Sequence, residues 1–168
     1  FLKLYSLYIN KYNSLYFCLY IYIMGKEWGP CTWYLFHTLV EKINEDHFDN
    51  MKLEIITIIK RICNNLPCPD CAQHATQKIG SLNIQSIKSK QDLKAVLLSF
   101  HNFVNTRTNK PEWNEKQLND KYSLAKTALV VQYFIQIWQK PNPNPRLMTN
   151  NFHKDRIIND FISWWNIH

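Results

Sequence analysis

Glycine is scarce in this chain, since only 3 of its 168 residues are Gly. Collagen-like repeats, glycine-rich linkers and turn-rich all-β folds all need more glycine than this. Charged residues make up 20% and hydrophobic residues 46% of the chain, which excludes a wholly disordered protein. No apolar run reaches about 18 residues, so we expect no conventional membrane-spanning helix. The length suits one domain with its own core.

Acidic residues are fewer than basic ones, and 20 Lys and Arg against 13 Asp and Glu give a formal net charge of +7. The basic residues are scattered, and no run of them is interleaved with aromatic residues. This pattern is typical of a solvated basic surface, and we therefore do not expect nucleic-acid binding.

The number and spacing of the cysteines are also too irregular for a disulfide scaffold. The chain has five cysteines, an odd number, and only Cys68 and Cys71 are closely spaced. Small secreted scaffolds instead carry an even set at regular spacings. The pattern indicates one active pair and three other thiols.

Residues 1–23 differ in composition from the rest of the chain, with six of the nine Tyr and no acidic residue. We expect them to lie outside the domain, as translated sequence upstream of a natural start at Met24. The alternative is a signal peptide or signal anchor, because Leu15–Met24 is an apolar run of suitable length.

Helical periodicity dominates from Met24 onward. Apolar residues recur at spacings of three and four, and no strand-like alternation is long enough to count. The sequence therefore predicts an all-α fold, a helical bundle. The predicted helices are residues 30–44, 50–65, a short one at 69–79, 90–107, 116–139 and, in the tail, 154–167.

The longest predicted helix, 116–139, and the tail carry further expectations. On 116–139 the predicted apolar stripe is Leu124, Ala128, Val131, Ile135 and Trp138. Residues 24–140 are predicted to form the domain, and 141–168 a proline-rich linker with an amphipathic helical tail. That tail helix could pack on the bundle, dock on a partner or lie on a membrane surface.

The segment around Cys68 and Cys71 is the most informative one. Cys68 stands where a helix N-cap would be, with Pro69 at the first helical position. Helix N-termini favour anions, so a Cys68 thiolate should be stabilised, which indicates a redox dithiol. The alternatives are a zinc site with His74 and either Cys63 or His101, a thioredoxin-like dithiol, or two buried structural thiols.

Two other segments place polar and aromatic residues on shared helix faces. His101 and Asn105 are four residues apart with Asn102 beside them, a polar stripe that could hold a planar polar ligand or simply face solvent. Trp33 and His37 are also four apart, which alone indicates a core Trp and a satisfied His.

Together these segments resemble the Erv/ALR family of FAD-linked sulfhydryl oxidases. The matching motifs are W-G-P-x-x-W-x-x-x-H at 28–37, C-x-x-C-x-x-H at 68–74 and H-N-x-V-N at 101–105, followed by Lys110-Pro111. Their order and spacing fit the family, and the resemblance covers roughly residues 28–122.

The resemblance implies a four-helix bundle with an additional short helix, cradling FAD and usually forming a homodimer. It implies that Cys68 is the outer, interchange cysteine and Cys71 the flavin-proximal one. No metal is expected. The residues that it implies as FAD contacts are Trp33, His37, His74, His101, Asn102, Asn105, Lys110 and, as a looser match, Tyr122.

The implied activity is the oxidation of a protein dithiol or of a thioredoxin-like carrier, with molecular oxygen as acceptor and hydrogen peroxide as product. The alternative function is a non-catalytic helical module that binds zinc or a partner. Colour would separate the two, because a flavoprotein is yellow.

The chain departs from many family members in its cysteines. No Cys follows Cys71, so an extra structural disulfide is absent, and no second pair suggests an internal shuttle. Abundant Asn, Ile, Lys and Tyr indicate an A/T-rich genome, and the compact form looks most like the versions that large DNA viruses encode. That source implies the host cytoplasm or the virion; the alternatives are the mitochondrial intermembrane space and the secretory pathway.

Overall fold

The computed structural model describes residues 27–140 and 148–167, and within them all regular structure is helical. The predicted all-α class is thereby confirmed, while the four-helix-bundle arrangement stays a prediction. The expectations for 1–23 and for the PNPNP linker at 141–145 lie outside the described residues. The α-helices are α1 (Trp28–Lys42), α2 (Phe48–Asn64), α3 (Pro69–Gly80), α4 (Lys90–Arg107), α5 (Glu115–Tyr122), α6 (Thr127–Gln139) and α7 (Met148–Trp165).

Helix α1 lies at the centre of the packing and contacts α2, α4, α5 and α6. Its apolar residues Cys31, Leu35 and Val40 are fully buried, which fits a helix with neighbours on several sides. Short 3₁₀ turns at Glu45–His47 and Ile84–Ser86 connect α1 to α2 and α3 to α4. None of the helices in the described ranges has both the length and the apolar character to cross a bilayer.

The single helix predicted over 116–139 is wrong, because the chain breaks between Tyr122 and Thr127 into α5 and α6. No Gly or Pro marks this break, so the periodicity runs through it. Leu124, predicted on the apolar stripe, is 83% exposed. The residues of α6 that are buried are Val130, Val131, Phe134, Ile137 and Trp138.

Lysine ammonium groups cap the C-terminal ends of several helices. Each donates to the carbonyl of a C-cap residue, a position that glycine often serves and that suits a positive charge next to the helix dipole. Part of the excess of basic residues over acidic ones therefore serves to stabilise helix ends. The pairs are Lys42 with Ser123 (2.8 Å), Lys52 with Ile87 (2.9 Å), Lys90 with Ile43 (3.1 Å) and Lys154 with Lys140 (2.7 Å).

The C-terminal helix α7 begins at Met148, six residues before the predicted start, and packs on α2 and α6. Ile158 and Phe161 are buried, and the Phe161 ring lies 5.5 Å from that of Phe134 on α6. The Trp164 indole donates to Glu54 on α2 at 2.6 Å. Of the three interpretations of the tail, packing on the bundle is the one that the structure shows.

Candidate active site

The closely spaced cysteines form a disulfide at the first turn of α3. Cys68 is the N-cap, its Sγ accepts a hydrogen bond from the backbone N–H of Cys71 at 3.3 Å, and Pro69 is the first helical residue. This confirms the predicted helix start. Both cysteines are half-buried, so a sulfur-containing partner can reach this turn.

Helix α3 packs on α2 and also reaches α4 through its side chains. The Arg107 guanidinium donates to the His74 ring, with 2.9 Å to Nε2, and Lys78 lies 5.5 Å from the centre of the Phe103 ring. The disulfide helix is thus fixed to the C-terminal half of α4, the helix that also carries His101.

A second group of residues, the aromatic–imidazole cluster, comprises Trp33, His37, His101, Trp113 and Tyr122. Its rings are close to parallel. Trp33 stacks on His101 with 4.1 Å between centroids and 8° between planes, and His37 stacks on Tyr122 at 4.6 Å and 15°. Trp113 lies 5.9 Å from His101 at 18°. These contacts bring α1, α4, α5 and the 108–114 loop together.

The two imidazoles of the cluster are each 6% exposed, and His37 Nε2 lies 3.0 Å from His101 Nδ1. Burial, with the positive charges of Lys121 and Lys110, lowers the pKa of His101 to about 3. Burial likewise holds the pKa of His37 well below its usual value, with His101 adding to the effect. Both rings are therefore neutral near pH 7, and the interpretation of His101 as part of a solvated face is wrong.

Lys121 supplies a positive charge at the edge of the cluster. Its ammonium lies 4.5 Å from the Trp113 ring centre, 4.7 Å from that of Tyr34 and 5.4 Å from that of Tyr122. Burial lowers its pKa to about 8. Cation–π contacts with three rings offset part of the cost of burying the charge.

The two asparagines of the H-N-x-V-N motif bind loop backbone. Asn102 donates from Nδ2 to the Trp113 carbonyl at 2.8 Å and accepts from the Trp113 N–H at 2.8 Å. Asn105 donates to the Pro111 carbonyl at 3.1 Å. The loop turns at Asn109, which has a φ of 52°. The motif thus holds the loop on α4 and places Trp113 in the cluster.

Four of the sequence-predicted residues, Trp33, His37, His101 and Tyr122, meet in the cluster, and Asn102 and Asn105 adjoin it through the loop. The others have no ring contact with the cluster in the described residues. Lys110 is exposed on the loop, where its N–H donates to the Asn105 carbonyl at 2.8 Å, and Cys68, Cys71 and His74 lie on α3.

Sequence reasoning missed Trp113 and Lys121. Trp113 lies in a loop, and a loop has no repeating apolar pattern from which the buried side chains can be predicted. Lys121 would ordinarily be assigned to solvent. A signal was nevertheless present, since Trp113 follows the Lys110-Pro111 pair of the motif and Lys121 precedes Tyr122.

The remaining cysteines of the described part, Cys31 and Cys63, are buried and free. Burial raises the pKa of each thiol to about 12. Within residues 27–140 and 148–167 no three His, Cys, Asp or Glu side chains are grouped so as to hold a metal ion. The zinc set considered above does not come together there, because His101 is stacked in the cluster and His74 is bonded to Arg107.

Comparison with known proteins agrees with these motifs. A family model described as the Erv1 / Alr family matches residues 30–123, more than half of the chain. A protein of Invertebrate iridescent virus 3, named as an FAD-linked sulfhydryl oxidase, 096R, is 30% identical over 98 residues. That match covers 58% of this chain and 66% of the viral protein, just under two thirds of its length. No solved structure is significantly similar to the chain.

Proposed function

Because the chain belongs to the Erv1/Alr family, we propose that it is an FAD-linked sulfhydryl oxidase that forms disulfides in protein dithiols. The observation that carries the proposal is the half-buried Cys68–Cys71 disulfide at a helix N-terminus. The name of the iridovirus protein supports the same activity. Residues 24–140 are proposed as the oxidase domain.

The proposed exchange begins with a substrate thiolate, which attacks Cys68 Sγ. The Cys68–Cys71 bond breaks, a mixed disulfide forms, and Cys71 leaves as a thiolate. The second substrate thiolate then attacks the substrate sulfur of the mixed disulfide and releases Cys68. The substrate has lost two electrons and two protons and leaves as a disulfide. Cys68 and Cys71 have gained the two electrons and become a dithiol, and protons not taken up by these sulfurs pass to water.

The first turn of α3 favours the second half of this exchange. When Cys68 leaves, its sulfur carries a negative charge next to the Cys71 N–H, which already bonds to it, and next to the positive end of the α3 dipole. A stabilised thiolate is a better leaving group. Cys68 is therefore proposed as the interchange cysteine and Cys71 as the flavin-side one.

The residues of the aromatic–imidazole cluster have the chemistry that suits a flavin nucleotide. It offers flat, parallel rings for a planar heterocycle and the Lys121 cation for an anionic group. The Asn119 Oδ1 atom, buried beside a cavity of about 40 Å³ lined by His37 and Tyr122, has no hydrogen-bond partner in the described residues and can accept from a ring N–H. Bound FAD would supply the two-electron chemistry between the dithiol and oxygen, giving hydrogen peroxide.

The residues proposed to hold FAD divide by what they contribute. Trp33, His37, His101 and Tyr122 would contact its rings, with both imidazoles neutral and able to donate or accept one hydrogen bond. Asn102 and Asn105 would act by holding the loop. His74 and Lys110 are proposed from the motifs alone. A homodimer, and a protein or thioredoxin-like carrier as substrate, complete the proposal.

The decisive experiment uses purified full-length protein. We expect a yellow protein that releases FAD on denaturation and consumes one oxygen for each dithiothreitol oxidised, with hydrogen peroxide formed. Zinc content should be measured on the same sample. A colourless protein with stoichiometric zinc and no dithiol oxidation would contradict the proposal and favour a zinc-binding module.

A further inference from the structure

One face of α3 continues from the disulfide into a group of basic and aromatic side chains. Cys71, His74 and Lys78 are spaced by three and four residues, so they lie on the same face of the helix. Arg107 from α4 bonds to His74 and lies 5.8 Å from the Phe103 ring, which Lys78 also contacts at 5.5 Å. The four side chains of His74, Lys78, Phe103 and Arg107 are called the basic patch below.

The two cations of the basic patch have no acidic partner. In the described residues neither Lys78 nor Arg107 forms a salt bridge, whereas Lys52, Lys94 and Arg61 each pair with a carboxylate. The Phe103 ring and His74 fix the positions of both cations without neutralising them. Two positive charges are thus held in place and left available to an outside anion.

The patch lies within reach of the reactive sulfurs. Lys78 follows Cys71 by seven residues, a rise of roughly 10 Å along the helix. An extended peptide advances about 3.3 Å per residue. A carboxylate about three residues from a substrate cysteine could therefore meet Lys78 while that cysteine attacks the disulfide.

We propose that the basic patch binds acidic residues of the protein dithiol substrate and so selects substrates whose cysteines have carboxylates about three residues away. This inference rests on the proposed oxidase function. It assigns a role to Lys78 and Arg107, which lie outside the family motifs, and to Phe103, which occupies the variable position of H-N-x-V-N. Asp70 on the first turn of α3 and Glu112 on the loop carry carboxylates that flank the patch. They would repel acidic side chains of the substrate and so direct them toward Lys78 and Arg107.

A nucleic acid is a poorer occupant for this surface. Nucleic-acid sites use a longer stripe of basic residues, whereas the patch has two cations around one phenyl ring. A thiol substrate is also itself an anion when it attacks, so positive charge beside the disulfide favours both the substrate and the attacking sulfur.

The test compares two peptides that share one cysteine pair and differ only at the third residue from each cysteine, Glu in one and Lys in the other. We expect a higher kcat/KM for the acidic peptide, by about 1.4- to 5-fold for each charge contact. The preference should shrink as ionic strength rises, because exposed charges are screened. Equal kcat/KM for both peptides at low salt would overturn the proposal.

Variants locate the effect on the patch. Lys78→Gln and Arg107→Gln should each reduce the preference, and Lys78→Glu should reduce it further. The matched control is Lys88→Gln, an exposed lysine before the opposite end of α4. Binding of the acidic peptide to these proteins, followed by fluorescence anisotropy, gives a readout independent of turnover. If Lys88→Gln lowered the preference as much as Lys78→Gln, general charge would explain it and the patch would not.

Oxidation of dithiothreitol distinguishes a failure of the proposed oxidase function from a failure of the docking role. Wild-type protein that does not oxidise dithiothreitol would contradict the proposed function. Wild-type protein that oxidises dithiothreitol and treats the two peptides alike would contradict the docking role alone. We expect Lys78→Gln to retain both FAD and dithiothreitol oxidation, and a loss of either would overturn its assignment to substrate docking.

Discussion

The disulfide turn and the aromatic–imidazole cluster have opposite environments. Cys68 and Cys71 are half-buried at the N-terminus of α3, and in the described residues neither Lys78 on the same helix nor Arg107 on α4 forms a salt bridge. The imidazoles of the cluster are 6% exposed and neutral, and they face aromatic rings. Sulfur exchange with another protein requires access and a stabilised anion, whereas a planar cofactor is held by dry, flat surfaces. The two halves of the candidate chemistry are therefore kept on different elements.

The same contrast applies to the cysteines. Cys31 and Cys63 are buried, and burial raises the pKa of each thiol to about 12, so neither forms a thiolate near pH 7. Cys68 and Cys71 differ from them in position rather than in chemistry. Placement at a helix N-cap, together with access to solvent, makes one pair suitable for exchange.

The largest expected effect comes from breaking the disulfide turn while sparing the cluster. Cys71→Ser and Cys68→Ser should each abolish dithiol oxidation, because the remaining sulfur cannot re-form the pair. Both variants should stay yellow, since no contact of the cluster involves these residues. Oxygen consumption and FAD content measure the two effects. Cys63→Ser is the matched control and should retain activity; an inactive Cys63→Ser with an active Cys68→Ser would show that the pair is misassigned.

Breaking the cluster should have the opposite effect, a loss of FAD and of stability with the disulfide retained. His101→Ala removes a buried ring that stacks on Trp33 and touches His37, which should lower the free energy of unfolding by about 2–5 kcal/mol. FAD content should fall, and added FAD should raise Tm by binding linkage. The Cys68–Cys71 pair should still form, as judged by thiol titration. A His101→Ala protein with full FAD and unchanged Tm would place the cofactor elsewhere.

A smaller effect is expected from Asn102, which acts on the cluster through the loop. Asn102→Ala leaves both the N–H and the carbonyl of Trp113 without their partner, at a cost of about 1–3 kcal/mol in the free energy of unfolding. Asn102→Asp keeps an acceptor for the Trp113 N–H and should cost less. Urea unfolding followed by tryptophan fluorescence measures the difference. Half-buried Asn65, whose Nδ2 donates to the Arg61 carbonyl within the same stretch of chain, is the control when replaced by Ala. Equal effects at the two sites would argue against a specific role of the loop clamp.

The cluster should also give the protein a gradual pH dependence of stability. His101 has a pKa of about 3 in the folded protein against a usual value near 6.5, and the pKa of His37 is lowered as well. The unfolded chain therefore binds more protons below about pH 6.5, and the free energy of unfolding should fall as pH decreases from there toward pH 3. Above about pH 7 these two residues should contribute no slope. His101→Asn should have a shallower acid slope than the wild type, and an unchanged slope would contradict burial of a neutral His101.

The sequence by itself determined the helices whose signals are local. The predicted helix 90–107 coincides with α4, and the start predicted at Pro69 is that of α3. Ser89 and Asp92 form a capping box at α4, an interaction confined to four consecutive residues. The position of the dithiol at a helix N-cap was readable for the same reason, because a Cys followed by Pro carries its own structural signal.

Only the tertiary structure decided the break after Tyr122, the inward position of Trp113 and the neutral state of the imidazoles. Lys42 reaches the Ser123 carbonyl across 81 residues of sequence, and His37 meets His101 across 64. Periodicity reports which face of a helix is apolar, but not which distant group satisfies a carbonyl or desolvates a ring. Burial and pairing of polar groups depend on the whole packed chain, and so the cluster emerges only when α1, α4, α5 and the loop are assembled.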